Sequence, residues 1–542
     1  MAARPQTLRT TEARPARGRV LRGLRHGAHV PDGHDDTTAF GYLLPELAQS
    51  WPDAHLPDDD PRAMTAALTR LGRAMVEGDL DPDRPLEQPG SSTIPPVYTY
   101  WGQFIDHDMT ANTDRESSVG TIDSDEVVPL DPMHVALELR NLRDPRIDLD
   151  SVYGGGPDEN PEMYDGIRLA VGSIALQADD GSEIPGKPVA PPGDLLHDLP
   201  RDEDGTALIG DDRDDENLIV AQLHTAMLRF HNAVVDWVRE HEEYRSEEEV
   251  FERARELVRW HHGWLVVNDF LRTVTLPGTV DRVLLGDEHV LDLVGREVFM
   301  PLEYSVAAYR FGHSMVRAAY DFNRNFGNDP DALSPATLQL LFTFTGKAQP
   351  PFDGATKVLP FNWVIDWERF VDRASPEHER FTRKIDTHVA PPLLELPDMD
   401  SERLAQLPVR NLLRGYLLSI PTGQAVAEAL GCTPLSADEL QQDSPKAVRD
   451  ALRDGGFLER TPLWYYVLKE AEVRAQGNSL GELGSRIVCE TIIGQMRADE
   501  TSYLRAPKSE YPQGWTPRDG VRWQGRPLLS IGDLLRFAGV LA

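Results

Sequence analysis

Tyr100-Trp101-Gly102-Gln103-Phe104-Ile105-Asp106-His107-Asp108-Met109-Thr110 places an amide, two carboxylates and an imidazole inside a run that otherwise reads as a buried helix. On a helix, residues three and four apart share a face. Gln103 and His107 therefore point the same way, with Asp106 beside them. Trp101, Phe104 and Ile105 are apolar, which sinks this polar face into a core. Buried polar groups need partners. Two readings meet that need: a self-satisfied polar cluster, the commoner case for a lone His beside an Asp, or a pocket for a polar ligand or cofactor.

The rest of the chain decides between them. Downstream lies Asn141-Leu142-Arg143-Asp144-Pro145-Arg146-Ile147-Asp148-Leu149-Asp150-Ser151-Val152-Tyr153-Gly154. Asp144, Asp148 and Asp150 fall at even spacings in a segment without helical period, so alternation would aim them to one side. Carboxylates so crowded repel unless they are solvated or bind a hard cation, of which Ca²⁺ is the common choice. Next, Gly210-Asp211-Asp212-Arg213-Asp214-Asp215-Glu216-Asn217 feeds a long stretch with one apolar face (Leu223, Met227, Val234, Trp237) and no proline from Leu218 to Leu276. Acids at a helix N-terminus suit its dipole, but Arg213 does not. A functional demand accounts better for Arg213. A second long helix is predicted over Ser246 to Arg272. His261 and His262 sit in it as ordinary helix residues, since neighbours cannot both face one site.

Tyr309-Arg310-Phe311-Gly312-His313 again sets one His among small and apolar residues, with Arg310 and His313 on one face. This is either a core histidine satisfied by a carbonyl or a metal ligand with an Arg for an anionic group. Further helices are expected over Pro61 to Gly78 (Met64, Leu68, Leu71 and Met75 on one side), from Pro408 onward, and over Thr461 to Glu472, Gly484 to Ala498 and Ser530 to Val540. Strand-like alternation is scarce. No internal repeat, P-loop, Rossmann glycine fingerprint, zinc spacing or nucleophile elbow is present.

Composition narrows the functional classes. The 542 residues carry 89 Asp+Glu against 55 Lys+Arg, a net charge of -34, which argues against nucleic acid and anionic membrane surfaces as partners. No apolar run reaches the length of a bilayer span. Cys432 and Cys489 are expected to be buried thiols. Residues 1–27 are Arg-rich, without an apolar stretch followed by a cleavage site or a twin-arginine pair, and are expected to form a disordered basic tail. The absence of a classical signal peptide suggests a cytoplasmic protein or one exported by a non-classical route. Residues 28–96 are expected to be an N-terminal extension packed on the core, and 97–542 the catalytic domain.

Two histidines on separate helices, each with an Arg at its site, suggest haem held by an axial His. Trp101 to Asp108 resembles the distal-helix motif of the animal-type haem peroxidases, the peroxidase–cyclooxygenase superfamily that includes myeloperoxidase, lactoperoxidase and peroxidasin. Four more segments match in the family's order: Asp144 to Gly154, Gly210 to Asn217, Tyr309 to His313, and Asn411 to Pro421. The resemblance spans roughly residues 40–541 and is nearest in character to bacterial members. It implies a mainly α fold: one large helical haem peroxidase domain with long loops and little β.

The same resemblance implies the roles. His107 is expected to be the distal acid–base and Arg213 the arginine that stabilises charge on the peroxide. Gln103 is expected to line the distal cavity and help hold water or a halide. His313 would ligate the haem iron, with Asn411 bonded to its other ring nitrogen. Arg310 would hold a haem propionate, and Asp106 and Glu216 would form ester links to haem b. Asp108, Asp144, Asp148 and Asp150, with the Arg146 carbonyl, would bind Ca²⁺. The implied activity is reduction of hydrogen peroxide through an oxo-ferryl state, with oxidation of small anions (bromide, iodide, thiocyanate) or phenolic donors.

The chain also departs from the family. Asp144 and Asp150 stand where vertebrate members use hydroxyls. Asn217 stands where myeloperoxidase has the Met of its sulfonium link, so at most two ester links are expected, and bromide, iodide or thiocyanate is favoured over chloride. The family's usual disulfides are absent. Two other readings stay in play. One is a fatty-acid dioxygenase of the same superfamily, which needs a radical-forming Tyr where Arg310 stands. The other is a non-catalytic haem or interaction protein on this scaffold.

Overall fold

A computed structural model of the chain describes residues 37–50, 53–76, 90–111, 119–184, 186, 190–286, 290–346, 356–371, 381–397, 399 and 401–542. The basic tail expected at 1–27 and the start of the 28–96 extension lie outside these residues. The fold is mainly helical, as the sequence implied. The helices that position the site are α1 (Pro61–Ala74), α2 (Val97–Met109), α3 (Leu218–His241), α4 (Glu247–Leu265), α5 (Leu407–Leu417), α6 (Leu463–Ala475) and α7 (Glu482–Ala498).

Local chemistry starts and stops these helices where the sequence allows. Asp60 caps α1, its side chain accepting from Ala63 N, and Pro61 occupies the first turn, where its missing N–H costs nothing. Asn217 caps α3 by accepting from Val220 N at 3.0 Å. Ser246 caps α4, whose first turn holds Glu247, Glu248 and Glu249 at the positive end of the dipole. The helix predicted over Ser246 to Arg272 is not uniform: after Leu265 it widens into a π turn, Val266–Leu271.

α1 buries Met64, Leu68, Leu71 and Met75 against α5. Contact is close because Gly72 lacks a side chain; a Cβ there would stand 2.8 Å from Val409 N. The small sheet has the order β2-β1-β3. β1 (Thr38–Gly41) pairs antiparallel with β2 (Arg140–Asn141) and parallel with β3 (Phe299–Pro301). Just beyond β3, the buried carboxylate of Glu303 accepts from Leu43 N (2.7 Å) and Leu44 N (3.2 Å), tying residues 37–50 to the interior.

α2 runs through the middle. It is buried almost all round, its polar face of Asp106, His107 and Asp108 included, so those groups must find partners inside the protein. Trp101 packs edge-on to Phe270, ring centroids 5.6 Å apart, and its Nε1 donates to His262 Nε2 at 3.2 Å. Phe104 stands edge-on to His224 and His262. Tyr98 donates to Asp269 at 2.6 Å. His262 is thus a packed helix residue, as is His261, whose Nδ1 meets Leu257 O. One continuous apolar cluster runs from Phe40 to Leu541. Cys432 and Cys489 are buried free thiols within it. Among the described residues no helix is long and apolar enough to cross a membrane.

Candidate active site

A cleft of about 160 Å³ separates α2 from the turn that bears His313. Its walls bring together six of the residues singled out by sequence: Gln103, Asp106, His107, Glu216, Arg310 and His313. Apolar side chains, among them Leu338, Phe342, Leu396 and Leu407, complete the lining. This combination of an apolar slot with a few convergent polar groups is the usual form of a cofactor site.

His107 is fully enclosed. Its Nδ1 lies 2.7 Å from Asp214 Oδ1, and the other oxygen of Asp214 is 2.8 Å from His224 Nδ1. Burial alone would raise the Asp214 pKa, but hydrogen bonds from the two imidazoles outweigh it and hold the carboxyl below its usual range. A carboxylate kept ionised at Nδ1 requires the proton there. Nε2 of His107 is then the nitrogen available for proton exchange with a molecule in the cleft. Neither Asp214 nor His224 was singled out by sequence.

Arg213 lies behind His107. Its Nη2 donates to the His107 carbonyl (2.8 Å), while Nε and Nη2 both reach Asp211. It is not among the described residues that line the cleft. Asp211 also takes Arg143 at 2.6 Å, and despite its burial the two guanidinium groups hold its carboxyl well below the usual range. Arg143 in turn donates to Asp150 (2.8 Å). Gly210 lets this chain of charges close, since a Cβ there would meet the Asp150 and Ser151 carbonyls at 2.5 Å.

On the opposite wall the backbone is irregular. A π turn (Glu303–Ala307) gives way to a 3₁₀ turn (Ala308–Phe311) and a short helix (Gly312–Met315). Arg310 comes from the 3₁₀ turn and His313 from the short helix, and both line the cleft. The amide of Asn411, from α5, sits 2.8 Å from His313 Nδ1. The nearer end of that amide is Nδ2, which can only donate, so Nδ1 accepts from it in this arrangement; with the amide turned end for end, its oxygen would accept from a protonated Nδ1 and leave Nε2 as the unprotonated ring atom. Arg310 donates to Ser305 O (2.7 Å) and to Asp106 Oδ2 (3.3 Å). Gln103 accepts from Asn217 Nδ2 at 3.1 Å.

The acidic loop differs from its expected shape. Asp144, Asp148 and Asp150 do not alternate on a strand. The segment bends, Leu149 adopts φ 59°, and a short helix starts at Asp150. Asp108, Asp148 and Asp150 then offer ligand oxygens within 4.8 Å of one another, whereas Asp144 turns to its own neighbour, accepting from Arg146 Nε at 2.8 Å. Burial, then repulsion from Asp150 and Asp148, raises the Asp108 carboxyl well above its usual range, and burial followed by repulsion from Asp150 pushes Asp148 to about 7. A cation there would offset that repulsion and favour the ionised carboxylates.

Known proteins share part of this sequence and its fold. The family model of the animal haem peroxidase matches residues 138–349. Among solved structures, peroxidase A from Dictyostelium discoideum is similar at 17% identity and TM-score 0.55, over 87% of this chain and 89% of that one. The fatty acid alpha-dioxygenase of Oryza sativa is similar at 15% identity and TM-score 0.54, over 88% and 78%. A search of curated proteins found no match. Residues 138–349 thus carry the sequence of the animal haem peroxidase family, and the chain as a whole has the fold shared by that peroxidase and that dioxygenase.

Proposed function

We propose that the protein is a haem peroxidase that reduces hydrogen peroxide and oxidises small anions (bromide, iodide, thiocyanate) or phenols. The observation that carries this reading is the pair of imidazoles on one cleft, each with Nδ1 engaged by a partner: His107 by Asp214 and His313 by Asn411. The Asp214 carboxylate holds the His107 proton on Nδ1, and Asn411, with its amide oxygen turned to His313, would do the same there, leaving Nε2 of each ring for the cleft. One is then suited to proton transfer and the other to an iron.

The residues fit haem b. His313 would be the axial ligand, and the apolar lining suits the macrocycle. Asp106 and Glu216 are carboxylates on the cleft wall, where ester links to the haem would form. Esterification would remove the Asp106 charge that now engages Arg310, and so release that guanidinium for a propionate. When bound, haem supplies the iron and the redox equivalents for splitting peroxide.

The chain's own part is proton handling. His107 Nε2 takes a proton from hydrogen peroxide and returns it to the oxygen that leaves as water. Asp214 accepts Nδ1–H throughout and stabilises the imidazolium formed in between. Arg213 braces the His107 carbonyl, and its charge, partly offset by Asp211, favours the anionic form of the peroxide. Gln103 faces the same space. Asp108, Asp148 and Asp150 are proposed to hold Ca²⁺, an oxygen-loving cation that suits crowded carboxylates. Asp144 and Arg146, paired with each other, stand aside from that cluster.

The fold's likeness to a fatty acid alpha-dioxygenase gives a second reading. Against it, the position three before His313 is Arg310. The adjacent Tyr309 is stacked on Tyr304 and donates to Gly102 O. Peroxide-dependent oxidation of thiocyanate and of a phenol, compared between wild type and His107→Ala at equal haem content, tests the proposal. Loss of turnover in the variant is expected. Unchanged turnover overturns the assigned role, and oxygen uptake with a polyunsaturated fatty acid and no peroxide would favour the dioxygenase.

A further inference from the structure

Asn217 joins the capping of α3 to the cleft wall. Its Oδ1 accepts from Val220 N at 3.0 Å, and only an oxygen can accept from a backbone N–H. That bond settles which end of the amide is which. Nδ2 is therefore the end that reaches Gln103, and it must meet an acceptor, Gln103 Oε1, at 3.1 Å. The second amide is settled in turn: Gln103 lines the cleft, and with Oε1 engaged by Asn217 the end left for a ligand is the Nε2–H₂ donor.

We propose that Asn217 is a positioning residue. It orients the Gln103 amide so that the wall beside His107 presents hydrogen-bond donors, and it thereby sets the affinity of the cleft for small anions. The inference rests on the haem peroxidase reading above. An amide left unheld could turn either end inward. A carbonyl oxygen facing an anion repels it, and an N–H attracts it. A residue at 217 without a donor would leave both orientations populated and dilute the anion-binding one. Asn217 makes no claim on the reacting atoms; it acts through Gln103.

The test is a double-mutant cycle on haem-loaded protein, read as the dissociation constants of thiocyanate and bromide from the Soret shift at equilibrium, without turnover. Asn217→Ser keeps a capping oxygen but is too short to reach Gln103. It is expected to weaken both anions about three- to tenfold while the thermal midpoint stays near that of wild type. In a Gln103→Leu background the same substitution should change neither constant. An undiminished Asn217→Ser effect in that background, or none in the wild-type background, overturns the inference while the peroxidase reading stands. A wild-type protein with a normal Soret band that no anion shifts overturns the anion reading of the cleft, and this inference with it.

Discussion

Replacing Asp214 by Asn removes one charge and little volume from a fully enclosed site. The carboxylate now accepts from two imidazoles, His107 Nδ1 at 2.7 Å and His224 Nδ1 at 2.8 Å. An amide has one oxygen, so it can keep only one of them. The other imidazole faces an NH₂ group and must move its proton to Nε2. In the molecules where His107 is the loser, Nε2 is already protonated and cannot take the peroxide proton. In the rest, the imidazolium that forms has lost its carboxylate. A hydrogen bond to a charged group contributes roughly 1.5–3 kcal/mol, and this one is shielded from solvent. The second-order rate of reaction with hydrogen peroxide should therefore fall about ten- to a hundredfold. Stopped-flow decay of the Soret band against peroxide concentration measures it, with haem content matched. Adding His224→Leu should recover part of the loss, because the amide oxygen can then serve His107 alone. A fully loaded Asp214→Asn protein that reacts at the wild-type rate, or a double variant slower than the single one, refutes the reasoning.

Two other outcomes follow from buried acids. Burial raises the Glu303 carboxyl from 4.5 to about 7, against the pull of the Leu43 and Leu44 amides. The fold thus prefers the protonated form. That contribution is full below about pH 4.5 and is lost as the pH rises through 7. At about 1.4 kcal/mol per pH unit, urea denaturation of wild type and Glu303→Gln should show the stability gap shifting by about 2 kcal/mol in the variant's favour between pH 5.5 and 8.5; a constant gap speaks against it. Prolonged chelation should lower the thermal midpoint of wild type, with Ca²⁺ restoring it, and Asp148→Asn should blunt both effects. A midpoint indifferent to chelator in a protein that metal analysis shows to be calcium-free would leave the loop merely acidic.

The helices that enclose the cleft are legible because their apolar spacings are long and their caps are explicit: Asp60 with Pro61, Asn217, and Ser246 followed by three acids. His107 and His313 stand out too, the first as an imidazole between two carboxylates inside an apolar run, the second as a lone imidazole among small and apolar residues. The partners of these histidines are harder to see. Asp211, Asp212, Asp214 and Asp215 flank Arg213 and are chemically equivalent on paper. Only the 3₁₀ turn over Asp212–Asp215 sends Asp211 to the guanidinium groups and Asp214 to His107. His224 is hidden inside a long helix, although an imidazole with no charge beside it on its own apolar face is a signal that a partner comes from elsewhere. Asp144 is misjudged by the alternation rule because the chain bends at Pro145 and Arg146, and the Arg146 guanidinium takes its carboxylate. The positive φ at Leu149, between Asp148 and Asp150, is likewise announced by no local pattern.

The central claim is a haem iron ligated by His313. The most direct measurement is a titration of haem-free wild type and His313→Ala with haem b, followed by absorption. The expected result is a sharp Soret band saturating at one haem per chain in wild type, persisting with the polypeptide after acidic organic extraction where the ester links have formed, and a broadened, shifted band in the variant. Identical spectra and affinities for the two proteins, or no Soret band in wild type at any haem concentration, would contradict it.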